Sequence, residues 1–430
     1  MIAADVYVIL TSNYKYKLSF KPITYCFRRC IGLLILMVMA YAANAQFFEL
    51  PEGKKRVVVP FKLVRNLLIV SVRVGGRGPF NFIVDSGVGI IVITDPAMAD
   101  SARINTKRRI QLSGLGEGSD LEASIASGLT FDIDGVRGSN LSAAVLNKDQ
   151  FGLSNYAGMP VHGLIGYDLF NSLAVKLSFS DTTITLARPG SIKEFKRGYK
   201  IPIKIEQNKP YIEAGVNVDG KSPDVARLLI DFGAGHPLML ENALHKLPQD
   251  RKFIQGNLGI GLTGPVNGLL SRVDELDIGK YKFKDVITSL PFDNPQVAAK
   301  DRVNRDGSIG LGILNRFAVI MDYQNNMMYL KPSGNYKKPF EHDMSGLEYY
   351  ADGKDLHTIV ISRVEPGSAA DDIGLRKDDI ITAVNFKPVA EMTIQDIDNI
   401  FKSYNDRSLL LDIFRDKKRQ RFILTLKRRI

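Results

Sequence analysis

Two aspartates occupy near-identical surroundings, Asp85 in "FNFIVDSGVG" (80–89) and Asp231 in "ARLLIDFGAG" (226–235). Each closes an apolar run and is followed by a spacer residue and then a glycine, with a second glycine two residues on. A run rich in Ile, Val and Leu reads as a buried strand that holds the following backbone rigid. The glycine after the spacer lets the chain turn sharply and pass close to a partner. Where two such loops meet, both carboxyls cannot ionise, so one pKa rises and the pair shares a proton. The ionised member can then activate a water while the protonated member polarises a carbonyl. That hydrolyses an amide with neither metal nor covalent intermediate.

The elements around the aspartates also come in pairs. "GLIGYDLFNSLAVKLSFSDTTITL" (163–186) aligns without gaps to "GSIGLGILNRFAVIMDYQNNMMYL" (307–330), at an offset of 144. "VRVGG" (72–76) matches "VNVDG" (216–220), "FDIDG" (131–135) matches "LDIGK" (276–280), and the aspartates lie 146 residues apart. Offsets this constant describe a duplicated unit of domain size, too long for a solenoid repeat. Within each unit the signal is mostly short β-branched or aromatic runs separated by Gly, Asn or Asp. Each unit also holds a Gly-rich stretch between strand-like flanks, "QLSGLGEGSDLEA" (111–123) and "NLGIGLTGPVNGLL" (257–270), which predicts a hairpin with a mobile tip.

"IVDSG" followed by "GLIG", repeated as "LIDFGAG" and "SIGLG", resembles the retropepsin and pepsin aspartic proteases over about residues 60–338. The resemblance implies a mainly β fold of two acid-protease β-barrel lobes, with Asp85 and Asp231 as the catalytic dyad. Ser86, Gly87 and Gly233 would support the catalytic loops. The hairpins near 113–119 and 259–264, with Gly114, Gly116, Gly259 and Gly261, would be flaps closing over an extended polypeptide substrate. The sequence departs from the family pattern at Phe232, where Thr or Ser would bond across to the opposite loop. Val88 is also bulkier than the usual residue. Ser86 keeps its half of that bonding and Phe232 cannot supply the other. Two expectations follow: an active aspartic endopeptidase, or a bilobal peptide-binding scaffold that has lost catalysis.

After the Pro-, Gly- and Lys-rich stretch "LKPSGNYKKPFEHDMSG" (330–346) the pattern changes. "VEPGSAADDIGLRKDDIITAVN" (364–385) resembles the central run of PDZ domains, which implies a small α/β module. By that resemblance "SGLEYY" (345–350) supplies the peptide-accepting strand, with Gly346, Leu347, Glu348 and Tyr349 as binding positions. The helix at 393–404 forms the other wall of the groove, and the ligand is the C-terminus of a peptide or protein. The expected domains are a targeting segment 1–45, lobes 46–190 and 191–338, a linker 339–345 and the PDZ module 346–430.

Composition narrows the remaining classes. The five histidines, His162, His236, His245, His342 and His357, show no metal-ligand spacing, so neither a metal site nor another cofactor is expected. The net charge of +11 is concentrated at the ends: residues 1–45 hold five Lys/Arg against one Asp, residues 415–430 hold eight against one, and the rest balances. Nucleic acid is therefore not expected as a partner, since that would need a broad basic face. The tail alternates basic and apolar residues like an edge strand, and attraction to an acidic membrane surface stays open. "CFRRC", the apolar "IGLLILMVMAYA" (31–42) and "ANA" (43–45) read as an export signal ending before Gln46. The apolar run is short for a membrane span, so removal is favoured over a retained anchor. Both cysteines, Cys26 and Cys30, lie in this segment, so the processed chain has no thiol chemistry. A bacterial periplasmic or secreted location follows.

Overall fold

The computed structural model describes residues 47–112, 116, 118, 120–244, 247–248, 250–261, 263–292 and 304–430. Residues 1–45, where an export signal is expected, and Gly114 lie outside these. Residues Gln46–Ile430 form one unit.

Strand Leu67–Val74 shows how the sequence makes the lobes. Val72 and Val74 are buried while the intervening Ser71 and Arg73 are exposed, the period-two pattern of a half-covered strand. It pairs with Arg77–Val84, whose apolar end Phe82-Ile83-Val84 is fully covered and delivers Asp85. Each lobe closes its own sheet around such strands. The first runs in the order 47–49, 136–146, 91–93, 163–165, 77–84, 67–74, 121–133, 108–112. The second runs 204–206, 209–217, 224–230, 307–309, 238–240, 281–291, 264–278, 254–261. Inner parts of the two sequences correspond strand for strand, so the duplication read from the sequence is a duplication of fold.

A third sheet joins the halves, in the order 199–202, 327–332, 317–322, 174–178, 183–187, 56–60. Its centre is the antiparallel pair Val175↔Met321, Lys176↔Ile320 and Leu177↔Val319, one strand from each half. The same apolar core, with Val175, Leu177, Val319 and Met321 in it, continues through both lobes. The lobes are therefore set by a shared sheet and a shared core, which fixes the position of one aspartate relative to the other.

The C-terminal module has a separate core around Ile361, Ile381, Ile397, Phe401, Leu411 and Leu424. Its strand order is 347–352, 358–364, 380–384, 408–415, 418–425. Helix Ile394–Phe401 starts at a capping box in which Thr393 and Asp396 satisfy each other's backbone amides. The basic tail is the last strand of this sheet. Arg415 pairs with Asp379, Arg421 with Asp412, Arg428 with Glu341 and Arg429 with Glu365, so much of its charge is neutralised within the chain.

Candidate active site

Each aspartate is placed by the same local device. The amide of Asp85 donates to Ile165 O and that of Asp231 to Ile309 O, both at 2.9 Å. These carbonyls end the parallel strands Gly163–Ile165 and Gly307–Ile309, which lie beside the two aspartate strands in identical register. The following glycines allow the approach. A Cβ on Gly166 would lie 2.0 Å from Asp85 O, and one on Gly310 2.6 Å from Ala234 O.

The two loops meet at the carboxyls. Gly87 N donates to Asp85 Oδ1 at 2.7 Å and Gly233 N to Asp231 Oδ1 at 2.9 Å. Asp85 and Asp231 converge between the two loops and line one cavity. Burial first, and then the charge of Asp231, push the Asp85 carboxyl well above the usual range, against the opposing pull of the Gly87 amide and Lys209. A Cβ on Gly233 would stand 2.2 Å from Asp85 Cγ, and one on Gly87 3.2 Å from both Asp231 oxygens. Both glycines are therefore packed against the opposite carboxyl, and their role is steric as much as conformational.

Ser86 and Phe232 divide the cross-lobe contact unequally. Ser86 Oγ donates to Ile230 O at 2.7 Å and accepts from Phe232 N at 3.1 Å, so one hydroxyl makes two bonds to the other lobe. Phe232 is fully buried, and its ring stacks on Phe170 with centroids 5.9 Å apart and 12° between planes. Phe170 stacks in turn on Tyr323 at 5.4 Å. Phe170 of the first lobe is thus stacked between Phe232 and Tyr323 of the second, and stacking stands where the family pattern has a hydroxyl.

Three further groups were not legible as site residues. The hairpin turns Arg65-Asn66 and Gln207-Asn208 both have positive φ at their two central positions. From them Asn66 Nδ2 donates to Gly235 O at 3.0 Å and Asn208 Nδ2 to Gly89 O at 3.2 Å, each crossing to the other lobe's aspartate loop. His236 Nε2 lies 3.0 Å from Ser308 Oγ. Burial lowers its pKa to about 4, with Asp231 opposing, so the ring is neutral near pH 7. The repeated Asn three residues after each "K-L/I" pair was a weak signal; nothing local marked His236.

The Gly-rich hairpins reach each other. Gly118 N donates to Thr263 O at 2.8 Å, joining the stretch expected to form the first flap to the one expected to form the second. A Cβ on Gly116 would lie 2.6 Å from the Thr263 carbonyl carbon. Gly259 and Gly261 are on the strand Ile254–Gly261 of the second flap, where Gly259 N donates to Asn257 Oδ1. Beneath the flaps a cavity of about 1280 Å³ holds both aspartates.

The same cavity reaches Leu347, Glu348 and Tyr349 of the C-terminal module. Gly346 turns with φ +77° against Ser368. The sequence implies an open edge at these positions, and here the structure differs. Tyr349 O accepts from Arg65 Nη1 at 3.1 Å and Ala351 O from Asn155 Nδ2 at 2.8 Å, both donors being in the first lobe. Arg65 also pairs with Asp398 of the groove helix at 3.1 Å and lies over the Tyr349 and Tyr156 rings. Glu348 pairs with Arg363 of the neighbouring strand at 3.1 Å. Arg65 thus occupies part of the groove, held by the Asp398 carboxylate and the two rings.

Comparison with known proteins follows the same division. Residues 70–169, which include Asp85 and stop short of Asp231, match the aspartyl protease family, and residues 360–415 match the PDZ domain family. Among solved structures, the crystal structure of an aspartic proteinase from Irpex lacteus is 12% identical with a TM-score of 0.43, covering 66% of this chain and 99% of that one. No curated protein matches the chain. The chain carries an aspartyl protease domain and a C-terminal PDZ domain.

Proposed function

We propose that this protein is an exported aspartic endopeptidase in which Asp85 and Asp231 share one proton and activate a water. The observation that carries this reading is the convergence of the two carboxyls, each packed against the opposite loop's glycine, in one cavity. The ionised member of the pair takes a proton from the water, whose oxygen attacks the scissile carbonyl carbon. The protonated member donates to the carbonyl oxygen, giving a neutral diol. Collapse returns that proton, passes the other to the amide nitrogen and breaks the C–N bond. The joined flaps hold an extended peptide over the pair and exclude bulk water.

The second reading, a peptide-binding scaffold without catalysis, is favoured by one observation: Phe232 carries no hydroxyl. Against it stand the two bonds of Ser86, which tie the loops together without any contribution from the Phe232 side chain. Asp85→Asn and Asp231→Asn discriminate the two. Under the peptidase reading either variant loses peptide cleavage. Under the scaffold reading neither changes anything, because the parent does not cleave.

Export is assigned from the basic, apolar and small-residue segment 1–45, with the periplasm or the exterior as destination. The PDZ module is assigned to peptide binding, with Arg65 as an internal competitor for the C-terminus of a substrate or partner. Pairing within the chain accounts for much of the basic tail, and membrane contact is not needed to explain it.

A further inference from the structure

The two lobes present equivalent strand positions to the cavity, and the side chains there differ in kind. In the first lobe Leu164 lies beside Ile83 and opposite Val92, and Val92 lies beside Ala144. The second lobe repeats the register with Ser308 beside Leu229 and opposite Met239, and Met239 beside Ser289. Leu164 thus corresponds to Ser308, and Ala144 to Ser289. The turns give a further pair. Val64 pairs with Leu67 across Arg65-Asn66, and Glu206 pairs with Lys209 across Gln207-Asn208, so Leu67 corresponds to Lys209. Five residues beyond each aspartate, Ile90 corresponds to His236.

The consequence is a cavity with two unlike walls. On the first-lobe side Leu67, Ile83, Leu164 and Phe151 belong to one continuous apolar cluster. The second-lobe side also holds apolar residues, Leu229, Met239, Val266, Leu270 and Ile287. Set among them are the polar Ser289, Ser308, His236 and Lys209, at the positions that correspond to Ala144, Leu164, Ile90 and Leu67. A hydrocarbon side chain seated against these groups would offer them no bond beyond the one Ser308 and His236 make to each other, which a site built of polar groups penalises.

We propose that the two substrate residues flanking the scissile bond are unlike: the one against the first lobe is apolar, and the one against the second carries a carboxamide or carboxylate head of glutamine or glutamate length. This rests on the peptidase reading for its substrate and on the wall chemistry for its selectivity. Ser308 and His236 are the specificity-determining pair, with Lys209 favouring the charged head over the neutral one.

Binding of non-cleavable reduced-amide peptides to the full chain, by calorimetry, tests it without requiring turnover. The flanking pairs are Leu-Leu, Leu-Gln, Gln-Leu and Gln-Gln, with Glu replacing Gln in a parallel set. One mixed order should bind at least about tenfold tighter than Leu-Leu, a margin expected where buried polar groups would otherwise go unpaired. Ser308→Leu should shift the preference to Leu-Leu. Leu164→Ser, altered on the opposite wall, should shift it toward Gln-Gln and serves if the first variant does not fold. Leu-Leu as the tightest ligand of the parent, or a preference unmoved by both variants, overturns the proposal. The cleavable counterparts separate it from the reading beneath it: binding preference without turnover removes the peptidase and keeps the walls, and turnover without preference does the reverse.

Discussion

Ser86 Oγ holds the amide of Phe232 at 3.1 Å and the carbonyl of Ile230 at 2.7 Å, so a single side chain bridges the two aspartate loops. Its counterpart, the Phe232 ring, contributes by stacking. The cross-lobe connection is therefore half polar and half aromatic, and the two halves fail differently.

Ser86→Ala removes both polar bonds and leaves a buried amide and a buried carbonyl short of partners. Loss of about 1–3 kcal/mol of stability is expected, together with a fall in kcat as the carboxyls lose their mutual position. Phe232→Thr empties the stack on Phe170 and should cost about 2–4 kcal/mol, as large-to-small core changes do. Equilibrium unfolding and peptide turnover of both variants give the check. A more stable and more active Phe232→Thr would contradict the structural role of the stack.

Gly233→Ala places a Cβ where the Asp85 carboxyl stands and should abolish turnover. Gly334→Ala meets nothing within 4 Å and should leave turnover intact, a control for the substitution itself. Equal effects from the two would show that the close approach at Gly233 is unimportant.

The pH dependence has two parts of opposite sign. Asp85 is raised by burial and by Asp231, so its stabilising contribution is present at low pH and is lost as pH rises through the elevated folded value. Asp85→Asn should accordingly raise Tm more at pH 7 than at pH 4. His236 is depressed from 6.5 to about 4, so its contribution is present above pH 6.5 and is lost as pH falls toward 4. The full loss is on the order of 3 kcal/mol. His236→Gln should flatten the stability profile across that window, and an unchanged profile would show that the ring is solvated.

Arg65 is buried between Tyr349, Tyr156 and Asp398. Removing one member of a buried ion pair costs about 3–5 kcal/mol, because the other charge is left behind. Arg65→Ala should lower stability by that order, softened by Lys402, which lies 3.4 Å from Asp398. It should also raise the affinity of the PDZ groove for C-terminal peptides, measured by fluorescence anisotropy. Tighter binding to the parent than to the variant would mean that Arg65 does not compete for the groove.

Much of the site was legible because it is written twice. Asp85 and Asp231, their glycines and the flap hairpins recur at nearly constant offsets, and duplication of strand patterns predicts duplication of fold. Ser86 and Phe232 could be recognised as unequal from residue type alone. What stayed hidden depends on contacts between segments far apart in the chain. Arg65 meets Asp398 across 333 residues, and its local sequence shows only a hairpin turn. His236 shows as a residue after a glycine until the register places Ser308 beside it. The asymmetry of the walls became visible only once strand pairing said which residues correspond.

The central claim is that the carboxyl pair cleaves peptides. Its most direct test is digestion of a diverse peptide mixture by the full chain from pH 3 to 8, beside Asp231→Asn and with a transition-state analogue inhibitor of aspartic proteases in a third arm. The account predicts cleavage that weakens as pH rises and the pair loses its shared proton, and that vanishes in both controls. Cleavage surviving in Asp231→Asn, or no cleavage at any pH by a folded chain, would contradict it.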